Sequence, residues 1–251
     1  MTEMKDTETK ARPPFDGPAG WVDLALYLGV GIGLFVLLSL GVGQIFQEID
    51  LLRSILAYSL NFLVFVGVVY VLAVRRGWVT WKDLGLVPPR WDWRWLPILG
   101  ALTIGLIPLR SCIGAAAQYL LRGDFESLTL RGEVFSTVGE SWWGFIVTLL
   151  MAGVLVPIAE ELFFRGLIYT WFRRRYEVWV AVLASALLFG LGHIDAVGVV
   201  VASFVMGIVN ALVFERTRSL WAAIAVHAIN NSAAMILLFT ALRLAEDLPM
   251  P

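Results

Sequence analysis

One cysteine and two histidines are all that the 251 residues offer of the side chains that build most metal and redox centres. Cys112 alone cannot form an intrachain disulfide or a thiolate zinc site, so it reads as a small apolar packing residue. Any histidine chemistry has to use His193 or His227. Charge is scarce too: Asp, Glu, Lys and Arg make up 16% of the chain, and the formal net charge is −1. That balance excludes an electrostatic case for nucleic-acid binding. A soluble domain is about half apolar and about a quarter charged. Here 59% is hydrophobic and the mean hydropathy is +0.79. The chain reads as an integral membrane protein.

Residues 1–20 are polar and carry Pro and Gly. They lack the basic-then-apolar order of a signal peptide and the acid-poor composition of a transit peptide. We read them as a flexible cytosolic tail ahead of a single transmembrane domain at 21–251. A prokaryotic plasma (inner) membrane is the simplest address.

A span needs about 20 mostly apolar residues. Such runs occur near 22–42, 54–74, 96–121, 143–172, 178–191, 197–214 and 220–242. The expected fold is therefore all-α: a polytopic transmembrane bundle of about seven spans. The tryptophan-rich, basic stretch at 75–95 suits a membrane interface, and 122–141 is a polar connection. Pro108 and Pro157 fall inside spans and predict kinks. With the N-terminus cytosolic, the inner segments hold thirteen basic residues and the outer ones four, Arg53, Arg122, Arg131 and Arg243. This positive-inside bias fixes the expected orientation.

Against that apolar background the stretch AEELFFRG, 159–166, stands out. It puts Glu160, Glu161 and Arg165 inside a span, where ionisable groups are costly and mark a functional site by default. Residues four apart share a helix face, so Glu161 and Arg165 are expected to pair. Glu160 points about 100° away, free to meet another helix. FGLGH, 189–193, and HAINN, 227–231, add further polar points. His227 and Asn231 are again four apart. Bundles build sites from side chains on facing helices, so a wet cavity between the fourth, fifth and seventh spans is expected.

Depth along the helices sets a geometric demand. At about 1.5 Å per residue, Glu160, His193 and His227 lie roughly 18, 22 and 10 Å from the inner ends of their spans. Tilt or a kink is needed to level them. Two chemistries suit the set. Glu160, His193 and His227 could hold zinc as a His₂Glu site, although no HExxH is present. Without metal, Glu160 and His193 activate a water, while His227 and Asn231 donate to an oxyanion. Arg165 then holds Glu161. The residue types favour the second assignment, with no cofactor. Elsewhere, Arg110 is a candidate to line the cavity or pair with an acidic group, with pairing or snorkelling the plainer role; Asp195 could orient His193 but reads first as a helix cap, Asn210 is a candidate for the cavity wall, and 215–218 reads as a solvated turn.

EELFFR, FGLGH and HAINN fit the patterns EExxxR, FxxxH and HxxxN in that order on late helices. The chain thus resembles the CPBP family, the CAAX-protease and bacteriocin-processing (Abi) membrane proteins, which include the type II CAAX prenyl endopeptidase. The resemblance covers a core of about 143–239. It implies a glutamate-dependent intramembrane endopeptidase with Glu160 and His193 as the water-activating pair and His227 with Asn231 at the oxyanion. Glu161, Arg165 and Phe189 would support them. The implied substrate is a membrane-associated protein or peptide in the lipid bilayer, of CAAX-prenyl type in the eukaryotic members. A second reading is a non-catalytic regulator or bacteriocin-immunity protein that binds a membrane partner. A transporter is disfavoured because no inverted repeat is visible. Oligomeric state is not encoded in any motif.

Overall fold

The computed structural model describes residues 19–46, 48, 51–89, 95–125, 141–194 and 196–246. The expected tail at 1–18, parts of the two polar connections (90–94 and 126–140) and Asp195 lie outside the described residues.

Seven helices run through the described residues: α1 Trp21–Ile45, α2 Leu51–Val74, α3 Trp95–Arg122, α4 Trp142–Arg173, α5 Val178–Leu191, α6 Val197–Thr217 and α7 Leu220–Glu246. All but α5 are long and apolar enough to cross a membrane. At 14 residues, α5 reaches about 21 Å, short of the ~30 Å hydrocarbon core. The polytopic helical bundle is as expected, with α5 shorter than its six neighbours.

One end of the bundle gathers the start of α1, the loop after α2, the end of α4 and the α6–α7 turn. Trp171 Nε1 donates to the carbonyl of Gly20 at 3.2 Å, and Arg175 donates to that of Ala19. The Leu220 amide donates to Gly85 O at 2.7 Å. Glu215 accepts from Tyr169 Oη at 2.7 Å, Arg173 Nε at 3.3 Å and an Arg218 guanidinium nitrogen at 2.9 Å. The solvated turn expected at 215–218 is thus a clamp across the ends of α4 and α6. The inner-side basic residues that are described, in the loop after α2, at the end of α4 and at the α6–α7 turn, share this end.

Close helix crossings place α6 between α3 and α5. A Cβ on Gly114 would stand 2.7 Å from the carbonyl oxygen of Gly198, and one on Gly207 would stand 2.8 Å from Ala186 Cα. No side chain fits at either point. The first turn of α6 is anchored there as well, since the Gly198 amide donates to Gln118 Oε1 at 3.1 Å. Parallel to α4 runs α2: Phe65 stacks on Phe163 at 4.7 Å between centroids, and one turn earlier Asn61 meets Glu160. The rings of α1, α2, α4 and α5 form the main apolar core, with Tyr27, Phe65, Phe163, Phe164 and Phe189 all buried.

Candidate active site

The helix that carries the acidic motif is not regular. Two π-helical stretches, Met151–Leu155 and Leu162–Tyr169, flank the regular turn Val156–Glu161. Wide π turns are frequent at functional sites. Pro157 has no N–H for the carbonyl of Gly153 four residues back. Ser232 Oγ of α7 donates to that carbonyl at 3.4 Å. Thus the proline draws α7 against α4 one residue past Asn231.

Glu161 and Arg165 pair as their spacing predicts, 3.1 Å apart and both fully buried. Burying two charges is tolerable only when each is well partnered, and the surroundings provide for both. Arg165 also donates to Gly207 O at 3.2 Å and lies 4.4 Å over the Phe189 ring. Glu161 Oε1 accepts from Asn210 Nδ2 and from His227 Nδ1, each at 2.7 Å. Glu161 is therefore more than the partner of an arginine: it ties α4, α6 and α7 together. Asn210, a candidate for the cavity wall, faces this cluster instead.

Glu160 points elsewhere, as the helical rotation demands. Its Oε2 is 3.8 Å from His227 Nε2, and its Oε1 is 3.5 Å from Asn61 Nδ2. Glu160 and His227 are thus level, despite the difference in depth expected from their positions along their spans. His193 sits in the turn that ends α5, with its Nδ1 2.9 Å from Phe189 O. A carbonyl and a carboxylate only accept, so both histidines donate from Nδ1. In the neutral ring each then has a lone pair on Nε2. Phe189 stands between them, its ring 4.9 Å from His193 and 5.7 Å from His227.

Glu160, His193, His227 and Asn231 all line one cavity of about 610 Å³. Asn61, Arg110 and Phe189 line it too, together with apolar groups such as Phe35, Met206 and Leu238. Sequence reasoning missed Asn61 and Asn230. Each is a polar residue in an apolar span, which was the available signal. Asn230 Oδ1 accepts from Arg110 at 2.6 Å, and its Nδ2 donates to Thr103 O at 3.2 Å. Arg110 is thus a pairing residue, as expected.

Glu160 and His227 Nε2 approach each other at 3.8 Å, and among the described residues no group of three or more His, Cys, Asp or Glu stands close enough to hold a metal ion. A catalytic zinc takes three protein ligands.

The fold and cavity define a polytopic helical membrane protein with carboxylates and histidines gathered within its spans. Residues 112–233, which contain all four of those polar residues, match the family model of the type II CAAX prenyl endopeptidase Rce1-like proteins. An Escherichia coli protein designated only by its 24.3 kDa mass is 30% identical over 147 residues, 53% of this chain and 66% of that protein. YdiL of Bacillus subtilis (strain 168), named as a proposed membrane peptidase, is 27% identical over 89 residues, 36% of each chain. The match thus spans less than two thirds of either relative. No solved structure matches.

Proposed function

We propose that the chain is an intramembrane endopeptidase acting on a membrane-associated protein or peptide, in a prokaryotic plasma membrane and without a metal. The observation that supports this reading is the approach of Glu160 to His227 Nε2 at 3.8 Å at the wall of a cavity shared with His193 and Asn231. A water oxygen at hydrogen-bond distance from both groups, about 2.8 Å, bridges such a gap.

In the proposed reaction the water attacks the scissile carbonyl carbon, and its proton passes to the Glu160 carboxylate, with His193 Nε2 as second acceptor. The new oxyanion accepts hydrogen bonds from His227 Nε2–H and Asn231 Nδ2. Because His227 Nδ1 already donates to Glu161, donation from Nε2 requires the imidazolium form. Glu161 and the oxyanion then face two cations, His227 and Arg165, while Glu160 carries the proton, and the cluster stays neutral. Collapse of the tetrahedral intermediate breaks the C–N bond, and the proton held by Glu160 goes to the leaving amine. Apolar walls around these groups suit a substrate anchored in lipid, prenylated or not.

The test is a comparison of protein termini in host membranes, wild type against Glu160→Gln at matched expression. New termini that depend on Glu160 would name substrate and bond together. Identical sets alongside a deletion phenotype would overturn the protease reading in favour of a regulator or immunity protein.

A further inference from the structure

We propose that Asn61, on α2 and outside the segment that matches the Rce1-like family model, is a positioning residue that holds the Glu160 carboxylate toward the cavity and so sets the direction of water attack. The inference rests on the endopeptidase reading and deepens it.

The placement of Asn61 follows from its helix. The buried positions of α2, Ser54, Asn61, Val64, Phe65 and Val68, form one stripe turned toward α4. Most of that stripe is apolar, as a helix-helix contact within a bilayer requires. Asn61 breaks the pattern at the level of the acidic motif. Its register is not free to drift, because one turn further on Phe65 stacks on Phe163. That contact holds the amide beside Glu160, three residues before Phe163.

Asn61 is 6% exposed, and it contributes to the cavity wall. Its two polar atoms have different partners. Nδ2 donates to Glu160 Oε1 at 3.5 Å, at the long end of the range, as catalytic hydrogen bonds often are before substrate binds. Oδ1 accepts from none of the described residues, as is also true of Asn210 Oδ1, whose Nδ2 donates to Glu161. Each amide thus gives its donor to one carboxylate of the motif, but of the two only Asn61 lines the cavity.

A water attacking a carbonyl has two hydrogens to place and one lone pair to aim. Glu160 takes one hydrogen and His193 Nε2 accepts the other, which leaves the lone pair directed at the carbon. That direction depends on the carboxylate staying turned to the cavity, and Asn61 Nδ2 stops it from rotating away. The amide itself neither gains nor loses a proton, so the proton balance of the reaction is unchanged.

The test uses the full chain purified in detergent, and host membranes. The infrared carboxyl signal of Glu160 is assigned by its loss in Glu160→Gln and then followed in Asn61→Leu, which keeps the volume of the side chain. Asn61→Asp, of the same shape, serves if the leucine variant does not fold. In parallel, the rate at which Glu160-dependent termini appear in membranes after induction is measured. We expect the Glu160 band to move, the melting temperature to stay, and the termini to accumulate about tenfold to a hundredfold more slowly, a part of the roughly 10²–10⁴-fold that a full acid–base contribution supplies. An unmoved band overturns the proposal whatever the cleavage rate. A moved band with an unchanged rate also overturns it, since the contact is then structural only. Absence of any Glu160-dependent terminus in the wild type brings down the endopeptidase reading itself, and the role of Asn61 in water attack with it.

Discussion

Glu161 Oε1 accepts a hydrogen bond from His227 Nδ1 at 2.7 Å, and the same carboxylate pairs with Arg165 at 3.1 Å. The two glutamates of the motif therefore do different work. Glu161 is a structural anion enclosed by donors from three helices, whereas Glu160 faces the cavity. Glu161→Gln leaves Arg165 as a buried charge without its counter-ion. Breaking a buried pair in this way costs about 3–5 kcal/mol. We expect a large fall in melting temperature in detergent for Glu161→Gln and little change for Glu160→Gln. Equal melting temperatures would contradict this division.

Phe189 links the guanidinium to both histidines. Its buried ring lies under Arg165 and makes edge contacts with His193 and His227. Removing a buried ring costs about 3–5 kcal/mol, and the cation loses the ring face as well. Phe189→Ala should lower both stability and cleavage. Phe189→Leu keeps most of the volume, so it should recover stability before it recovers activity. Paired melting curves and terminus-appearance rates measure this. Full activity in the alanine variant would remove Phe189 from the supporting set.

The crossing of α3 and α6 rests on bare backbone. Because a Cβ on Gly198 would fall on the carbonyl of Gly114, Gly198→Ala has to push the helices apart. Overpacking of this kind costs about 1–3 kcal/mol. Gly105→Ala meets nothing within 4 Å, and alanine is the better helix former by ~1 kcal/mol. The two substitutions should move the melting temperature in opposite directions. A similar drop for both would mean that α3 is sensitive throughout and that the crossing has no special weight.

What could be read from the sequence, and what could not, divides by the range of the interaction. Hydrophobic run length located the helices closely: α5 was expected at 178–191, and α4 at 143–172 against the observed Trp142–Arg173. The i, i+4 spacing predicted the Glu161–Arg165 pair because both ends lie on one helix. Tertiary partners left no such trace. Asn61 is 99 positions from Glu160, and Asn210 is 49 from Glu161. Nothing periodic links them. In HAINN, Asn230 and Asn231 are chemically identical, yet one turns to α3 and the other to the cavity. The π turns of α4 depend on backbone geometry that composition does not report.

The orientation assigned from charge has its own test. Helices α2 and α4 run parallel, and the described inner-side basic residues share one end of the bundle. An antiparallel order of seven helices from a cytosolic start therefore brings the end of α7 to the outer face. A reporter fused after Pro251 should be active outside and silent in the cytosol. Cytosolic activity would show that α5, at 14 residues, fails to complete a crossing and that one pass is missing.

Metal content separates the two chemistries considered for the site. His227 Nδ1 is committed to Glu161, and His193 Nδ1 to a backbone carbonyl. Such contacts orient a zinc ligand equally well, so the tautomers alone do not decide. The number of donors does, because a catalytic zinc needs three protein ligands and Glu160 with His227 provides two. We expect the purified chain to hold no stoichiometric zinc and to keep its Glu160-dependent cleavage after chelation. Stoichiometric zinc that disappears in His193→Ala or His227→Ala would overturn the water-activation scheme. Glu160 would then be a ligand rather than the base.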